Sequence, residues 1–220
     1  MRFDIITIFP KILDSYLSES ILKRAQAAGH ITIATHDLRD FSDNRHKKVD
    51  DSPYGGGPGM VLQIQPIFKS VEFAKSKCKN QKSKLRSRVI LFSTRGKTFD
   101  AKAAKRLAKY DQLIFICGRY EGVDERVATA IADEEISIGD FVLSGGELPA
   151  AVVIEAVARQ IPGVLGKYES LEEIKGSYPV YTRPAEFKSK IKNQKSKLLR
   201  VPKVLLGGDH KKIDEWRASL

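Results

Sequence analysis

Only two cysteines, Cys78 and Cys117, occur in the 220 residues, so no disulfide framework is implied and a reducing cytoplasm is the expected setting. Two cysteines and four scattered histidines show no ligand spacing, and no metal site is expected. No apolar run approaches the roughly 20 residues of a bilayer-spanning helix. The opening MRFDIITIF is too short for a signal peptide and carries Asp4. It reads as a first buried strand, and no membrane partner is expected. Several enzyme signatures are missing as well. There is no GxSxG elbow for nucleophilic hydrolysis. Gly96-Lys97-Thr98 imitates the tail of a phosphate-binding loop, but the glycine that should open that loop falls on Leu91. The run Gly55 to Gly59, GGGPG, lacks the spaced glycines and following helix of a dinucleotide site, and Pro58 removes an amide that could hold phosphate.

Basic charge is abundant, but it is local. Lys75 to Leu85, KSKCKNQKSKL, recurs as Lys188 to Leu198, KSKIKNQKSKL, with Cys78 replaced by Ile191. The stretches Lys75 to Arg88 and Lys188 to Arg200 contain no acidic residue and account for the whole excess of +11, leaving the remainder near neutral. Repeats so far apart do not form a solenoid. They read as solvated, flexible insertions at element boundaries that attract phosphate nonspecifically.

The rest alternates strand and helix. Arg2 to Phe9 reads as a strand, and Pro10 opens a helix that ends at Gly29, with Ile12, Leu13, Tyr16, Leu17, Ile21 and Leu22 on one face. A strand at His30 to Thr35 follows. A helix over Gln65 to Lys75 carries Ile67, Phe68, Val71 and Phe73 as its apolar residues. Next come strand Val89 to Phe92, helix Asp100 to Tyr110, strand Leu113 to Ile116, helix Asp124 to Ala132, strand Ser137 to Leu143, and a helix from Glu147 with Pro149 in its first turn. The fold class is α/β with a mostly parallel sheet.

Three strand ends run into small or charged residues: Phe92-Ser93-Thr94-Arg95-Gly96, Cys117-Gly118-Arg119-Tyr120-Glu121-Gly122-Val123-Asp124-Glu125-Arg126, and Ser137 to Gly146. Loops at the carboxyl ends of strands are where open α/β sheets bind ligands, and these three could share one crevice. A tight connection without a ligand would read the same way for the Gly145-Gly146 pair alone.

The segments DSPYGGGPGM (51–60), CGRYEGVDERV (117–127), SIGDFVLSGGELPA (137–150), RQIPGVLG (159–166), YPVYTRP (178–184) and VPKVLLGGDHKKIDEWR (201–217) resemble, in order and over nearly the whole chain, the bacterial tRNA (guanine-N1)-methyltransferases of the SPOUT superfamily. The resemblance implies methylation of guanine N1 at position 37 of tRNA, next to the anticodon, with S-adenosylmethionine as donor. It leaves a Mg²⁺ requirement open. It also implies a deep trefoil knot and a homodimer whose active sites are shared between subunits. The domains would be a knotted cofactor domain over residues 1–166, a linker over 167–180 and a small helical C-terminal tRNA-binding domain over 181–220, with Ile213 and Trp216 on an apolar helical face. Relatives commonly continue past the WR motif.

By the same resemblance the cofactor lies among Phe92, Ser93, Thr94, Gly118, Tyr120, Glu121, Gly122, Ser137, Ile138, Gly139, Asp140, Phe141, Val142 and Leu143, with Gly145, Gly146 and Pro149 closing the pocket. Main-chain groups of Ile138, Phe141 and Leu143 would read adenine while their side chains form apolar walls. Asp50, Tyr54, Gly57, Pro58 and Gly59 would position the substrate through backbone and an aromatic ring. N1 methylation needs a general base and a group to stabilise charge on O6. Arg159 is the implied cation. The base departs from the pattern: relatives usually carry Asp, most often followed by Ser-Phe, whereas Lys167 to Val180 has no Asp. Its candidates are Glu173 first, then Glu172, with Glu169 further from the expected place. A SPOUT enzyme acting on a ribose 2′-hydroxyl and a non-catalytic RNA-binding protein are the alternatives.

Overall fold

The computed structural model describes residues 1–78, 85–166, 178–189 and 197–219. It divides into two compact units, Met1–Tyr168 and Glu169–Leu220. In the first, strands β1 (Arg2–Thr7), β2 (Thr32–Asp37), β5 (Ser87–Thr98), β6 (Gln112–Ile116) and β7 (Glu134–Ser137) form one sheet in the order β2-β1-β6-β5-β7. Every neighbouring pair in that sheet is parallel. A short antiparallel pair, β3 (Asp50–Asp51) and β4 (Val61–Leu62), stands apart and carries the glycine-rich loop between its strands.

Alternation along the strands creates the two faces. Phe3, Ile5, Ile90, Leu113 and Phe115 point into one buried cluster, together with Leu22 and Ala25 of α2 (Ser20–Ala27), Leu107 of α4 (Ala101–Leu107), and Val153, Ile154 and Val157 of α5 (Glu147–Ala158). Ile6, Val89, Leu91, Ile114 and Ile116 point the other way, onto Ile67, Val71 and Ala74 of α3 (Ile64–Ser76) and onto Val127. A sheet covered on both sides explains why its strands read as nearly continuous apolar runs.

Several local expectations need correction. The long first helix is broken into α1 (Asp14–Leu17) and α2, with Ser20 in the left-handed region at φ 51°. Leu13, Leu17 and Leu22 are buried, but Ile12 and Tyr16 face solvent. In α3, Phe68 and Phe73 are likewise outside the core. The helix expected at Asp124 to Ala132 narrows to a π-helical turn at Val127–Ile131. The strand expected at Ser137 to Leu143 ends at Ser137, where β7 stops, and residues 138–143 are loop. Strand β5 extends beyond Phe92 to Thr98 through a register break between Phe92 and Lys97.

At the amino-terminal end of β1, fully buried Asp4 meets Arg2 Nη2 at 2.7 Å, His36 Nε2 at 2.7 Å and Gln112 Nε2 at 2.8 Å. Burial pushes the Asp4 carboxyl up, but hydrogen bonds from His36, Arg2 and Gln112 outweigh it and hold its pKa below the ordinary carboxylate value. A depressed folded pKa contributes stability that is complete above the unfolded value, about 3.9, and fades as pH falls through the folded value. Asp4→Ala is therefore expected to lower the unfolding free energy at neutral pH by about 3 kcal/mol, because it strands Arg2 and Gln112. Urea titrations should show that deficit shrinking as pH falls below about 3.9; a pH-independent deficit would contradict the assignment.

The second unit holds an antiparallel hairpin, β8 (Glu186–Ser189) with β9 (Lys197–Arg200), and two helices, α6 (Lys203–Leu206) and α7 (His210–Ala218). Asp209 caps α7 through its carboxylate, which accepts from Lys212 N at 3.2 Å. Ile213 is buried and Trp216 lies against Tyr181, with ring centroids 6.4 Å apart. Strands were not expected here. They also revise the reading of the second lysine tract, whose two ends pair as Lys188 with Leu198 and Ser189 with Lys197, in place of a wholly flexible insertion. The middle of that tract, and residues 79–84 of the first, lie outside the described residues.

Candidate active site

The carboxyl ends of β5, β6 and β7 open into a cavity of about 410 Å³, within the range of small-molecule sites. Its walls are the segment leaving β5 at Phe92, Ser93, Thr94 and Arg95, the loop Gly118 to Val123 after β6, and residues 137–146 after β7, closed by Pro149 of α5. All the residues singled out for the cofactor line it except Asp140 and Val142. Arg95, Arg119, Val123, Glu125 and Ser144 also line it, from within the strand-end segments that the sequence brings together, and Leu91, Ala128, Glu135 and Ile136 join them without having been singled out.

The glycine pair is required by close packing and not by backbone conformation. Neither Gly145 nor Gly146 has a positive φ; each is glycine because another group fills the space of a side chain. A Cβ on Gly146 would stand 2.7 Å from Cys117 Cα and 3.2 Å from Gly118 N, and one on Gly145 would stand 2.6 Å from Glu147 Oε2. Gly146 N donates to Gly118 O at 3.0 Å, drawing the two loops together. Burial, with the Glu147 charge behind it, pushes the Cys117 thiol well above its usual range and leaves it un-ionised.

Charge in the cavity is mostly acidic once internal pairs are discounted. Arg95 is held by Glu125 at 2.7 Å, and Arg119 by Glu147 at 3.0 Å. Glu135 Oε2 is shielded from solvent and takes no hydrogen bond, with Arg95 3.9 Å away. Such a site suits a ligand carrying positive charge.

The glycine-rich loop sits beside this cavity. Its hairpin is tied to the β6 loop by Leu62 N to Gly122 O at 3.0 Å, Glu121 N to Met60 O at 3.1 Å and Asp124 N to Leu62 O at 3.0 Å. Tyr120, in the left-handed region at φ 58°, bonds Asp50, and burial together with that carboxylate raises the phenol pKa. Gly59 packs so tightly that a Cβ would stand 2.9 Å from the carboxyl carbon of Glu121. Gly57 has φ 127°, a value that favours glycine. Tyr54 is fully exposed.

Arg159 is the outlier among the expected residues. It caps the carboxyl end of α5, whose amino end meets the cavity, and does not line that cavity. Twelve residues of helix separate the two ends, about 18 Å at the usual rise. Glu172 and Glu173 lie outside the described residues.

An open parallel sheet with a cavity at its strand ends places this chain in the class of α/β proteins whose ligands bind outside the carboxyl ends of the strands. Comparison with known proteins narrows this. The family model described as tRNA (Guanine-1)-methyltransferase TrmD matches residues 1–220. The tRNA (guanine-N(1)-)-methyltransferase of Geobacter sulfurreducens is 47% identical over 99% of this chain and 84% of its own, and that of Clostridioides difficile 47% identical over 99% and 90%. The crystal structure of tRNA (m1G37) methyltransferase from Aquifex aeolicus superposes with a TM-score of 0.79 at 40% identity, covering 98% of this chain and 87% of that one. The chain belongs to the tRNA (guanine-1)-methyltransferase TrmD family.

Proposed function

We propose that this chain methylates N1 of the guanine at position 37 of tRNA, using S-adenosylmethionine bound at the ends of β5, β6 and β7. The observation that carries this reading is the convergence of the three loops on one cavity in a member of this family. The cavity fits the donor: Phe92, Ile138 and Leu143 offer apolar walls, and the unbonded Glu135 oxygen lies where positive charge is welcome. When bound, S-adenosylmethionine supplies an electrophilic methyl group on a sulfonium. The protein's part is proton and charge management. Glu173, or failing it Glu172, takes the N1 proton, and the Arg159 guanidinium donates to O6 as negative charge builds there. Asp50, Tyr54 and the Gly57-Pro58-Gly59 turn position the purine.

A homodimer belongs to this reading, because Arg159 sits about 18 Å along α5 from its own cavity and a second copy must deliver it. Exposed Ile12 and Tyr16 of the α1 region and Leu148 and Val152 of α5 support such a surface, the two segments being bridged by Tyr16 Oη to Glu155 at 3.3 Å. The finer architecture we propose is a deep trefoil knot in residues 1–166, a linker over 167–180 and a C-terminal tRNA-binding domain over 181–220 that is helical apart from its hairpin. The close passage of Gly146 past Cys117 and Gly118 supports the knotted threading. No helix among the described residues is long and apolar enough to cross a membrane. The free thiols Cys78 and Cys117 support a cytoplasmic location.

Single-turnover reactions with a tRNA carrying guanosine at position 37 should yield 1-methylguanosine. A ribose-methylated product, or tight RNA binding without turnover, would overturn the reading. In the same assay Glu173→Ala should slow the reaction about 100-fold or more, and a parental rate would move the base to Glu172. Chelation tests Mg²⁺.

A further inference from the structure

The carboxylate of Glu147 is the most heavily engaged charged group near the cavity, yet it does not line the cavity itself. It is the first residue of α5, its side chain is 2% exposed, and two other elements converge on it. Thr7 Oγ1, at the end of β1, donates to Oε1 at 2.5 Å. Arg119, from the loop after β6, donates through Nε to Oε2 at 3.0 Å, and Nη2 lies 3.0 Å from the same oxygen. The Arg119 guanidinium in turn lies over the Phe9 ring, 4.7 Å from its centroid. Phe9 N donates to Thr7 Oγ1 at 3.0 Å, which closes the circuit.

Arg119 lines the cavity, so a full positive charge stands at the wall of a site whose proposed ligand is a cation. Its repulsion is cancelled only while Glu147 holds it. The pair is largely removed from water, where attraction and repulsion between charges are both stronger than at the surface. The glycine at 145 belongs to the same device, since a Cβ there would meet both Glu147 and Arg119.

We propose that Glu147 is a positioning residue that neutralises Arg119 and draws it back from the cavity, thereby setting the preference for the charged methyl donor over its uncharged thioether product. This rests on the functional reading above. S-adenosylmethionine and S-adenosylhomocysteine differ by one methyl group and one positive charge on sulfur, so their affinity ratio reports the potential at the cavity wall. A purely structural loss would weaken both ligands alike.

The test is calorimetric titration of the full-length parent, Glu147→Gln and the double variant Glu147→Gln/Arg119→Gln with each ligand. Glu147→Gln presents an amide N–H to Arg119 and releases the cation, so the ratio of the two affinities should shift roughly tenfold against S-adenosylmethionine. Removing the cation as well should restore the parental ratio, even if both affinities fall. An unchanged ratio in a folded Glu147→Gln overturns the proposal. If Glu147→Gln fails to fold, Glu147→Asp serves: its carboxylate retains the charge but is too short to reach Thr7 and Arg119 together. It should shift the ratio of the two affinities against S-adenosylmethionine by about threefold, and a parental ratio would overturn the proposal. A parent that binds neither ligand overturns the functional reading itself, and this inference with it.

Discussion

Arg159→Ala is expected to slow single-turnover methylation by about 100- to 1000-fold while leaving the affinity for S-adenosylmethionine within about twofold. The magnitude is that of removing one preorganised donor from a developing oxyanion. The unchanged affinity follows from geometry, since Arg159 lies at the opposite end of α5 from the cavity. The same geometry makes a stronger demand. If the arginine acts in a neighbouring subunit's site, mixing Arg159→Ala with a chain whose own cavity is closed should regenerate activity, because each heterodimer then contains one site with both parts intact. Random exchange in equal mixtures would restore about a quarter of the parental activity. Mixtures no more active than their components would mean that the arginine does not act across subunits.

The partner whose cavity fails is Gly146→Ala, assayed with S-adenosylmethionine well below its dissociation constant, and this is the second large effect. Its added methyl would be 2.7 Å from Cys117 Cα and 3.2 Å from Gly118 N, both main-chain atoms that cannot rotate aside. The Gly146 N to Gly118 O bond would be the first to yield, parting the two loops that face each other across the cavity. Overpacking of this kind costs about 1–3 kcal/mol, and S-adenosylmethionine affinity should fall by about tenfold or more with a lowered melting temperature. Gly207→Ala provides the comparison, since the nearest heavy atom to its added Cβ is Val204 O at 3.9 Å. Should the two substitutions behave alike in calorimetry and thermal melts, the close approach at Gly146 is not what shapes the site.

Much of this architecture is visible in the sequence because the sheet is buried on both faces. Strands such as Leu113 to Ile116 must then be short, wholly apolar and bounded by polar or glycine residues, and the loops after them are easily found. What escapes is whatever depends on tertiary partners. Helical periodicity runs unbroken through Ser18 to Ser20, so the turn at Ser20 leaves no local trace. Ile138 to Leu143 alternates like a strand but has no neighbour to pair with beyond Ser137. Conversely, Arg95-Gly96-Lys97 looks like loop, yet β5 runs through it and rejoins β7 at Lys97. Arg119, Glu147 and Thr7 are 28 and 140 residues apart in their two bonds, which no spacing rule could link. One signal was available: a glutamate opening the largely apolar helix ELPAAVVIEAVA invites the question of what holds it.

The twin lysine tracts carry a lesson about local code. Lys75-Ser76 closes a helix, while the identical dipeptide Lys188-Ser189 ends a strand. The described ends of the two copies take the shape of the element they continue. A lysine-serine pair thus leaves backbone shape to the element that carries it, and the residues at Lys75 and Lys188 alone would not tell helix from strand.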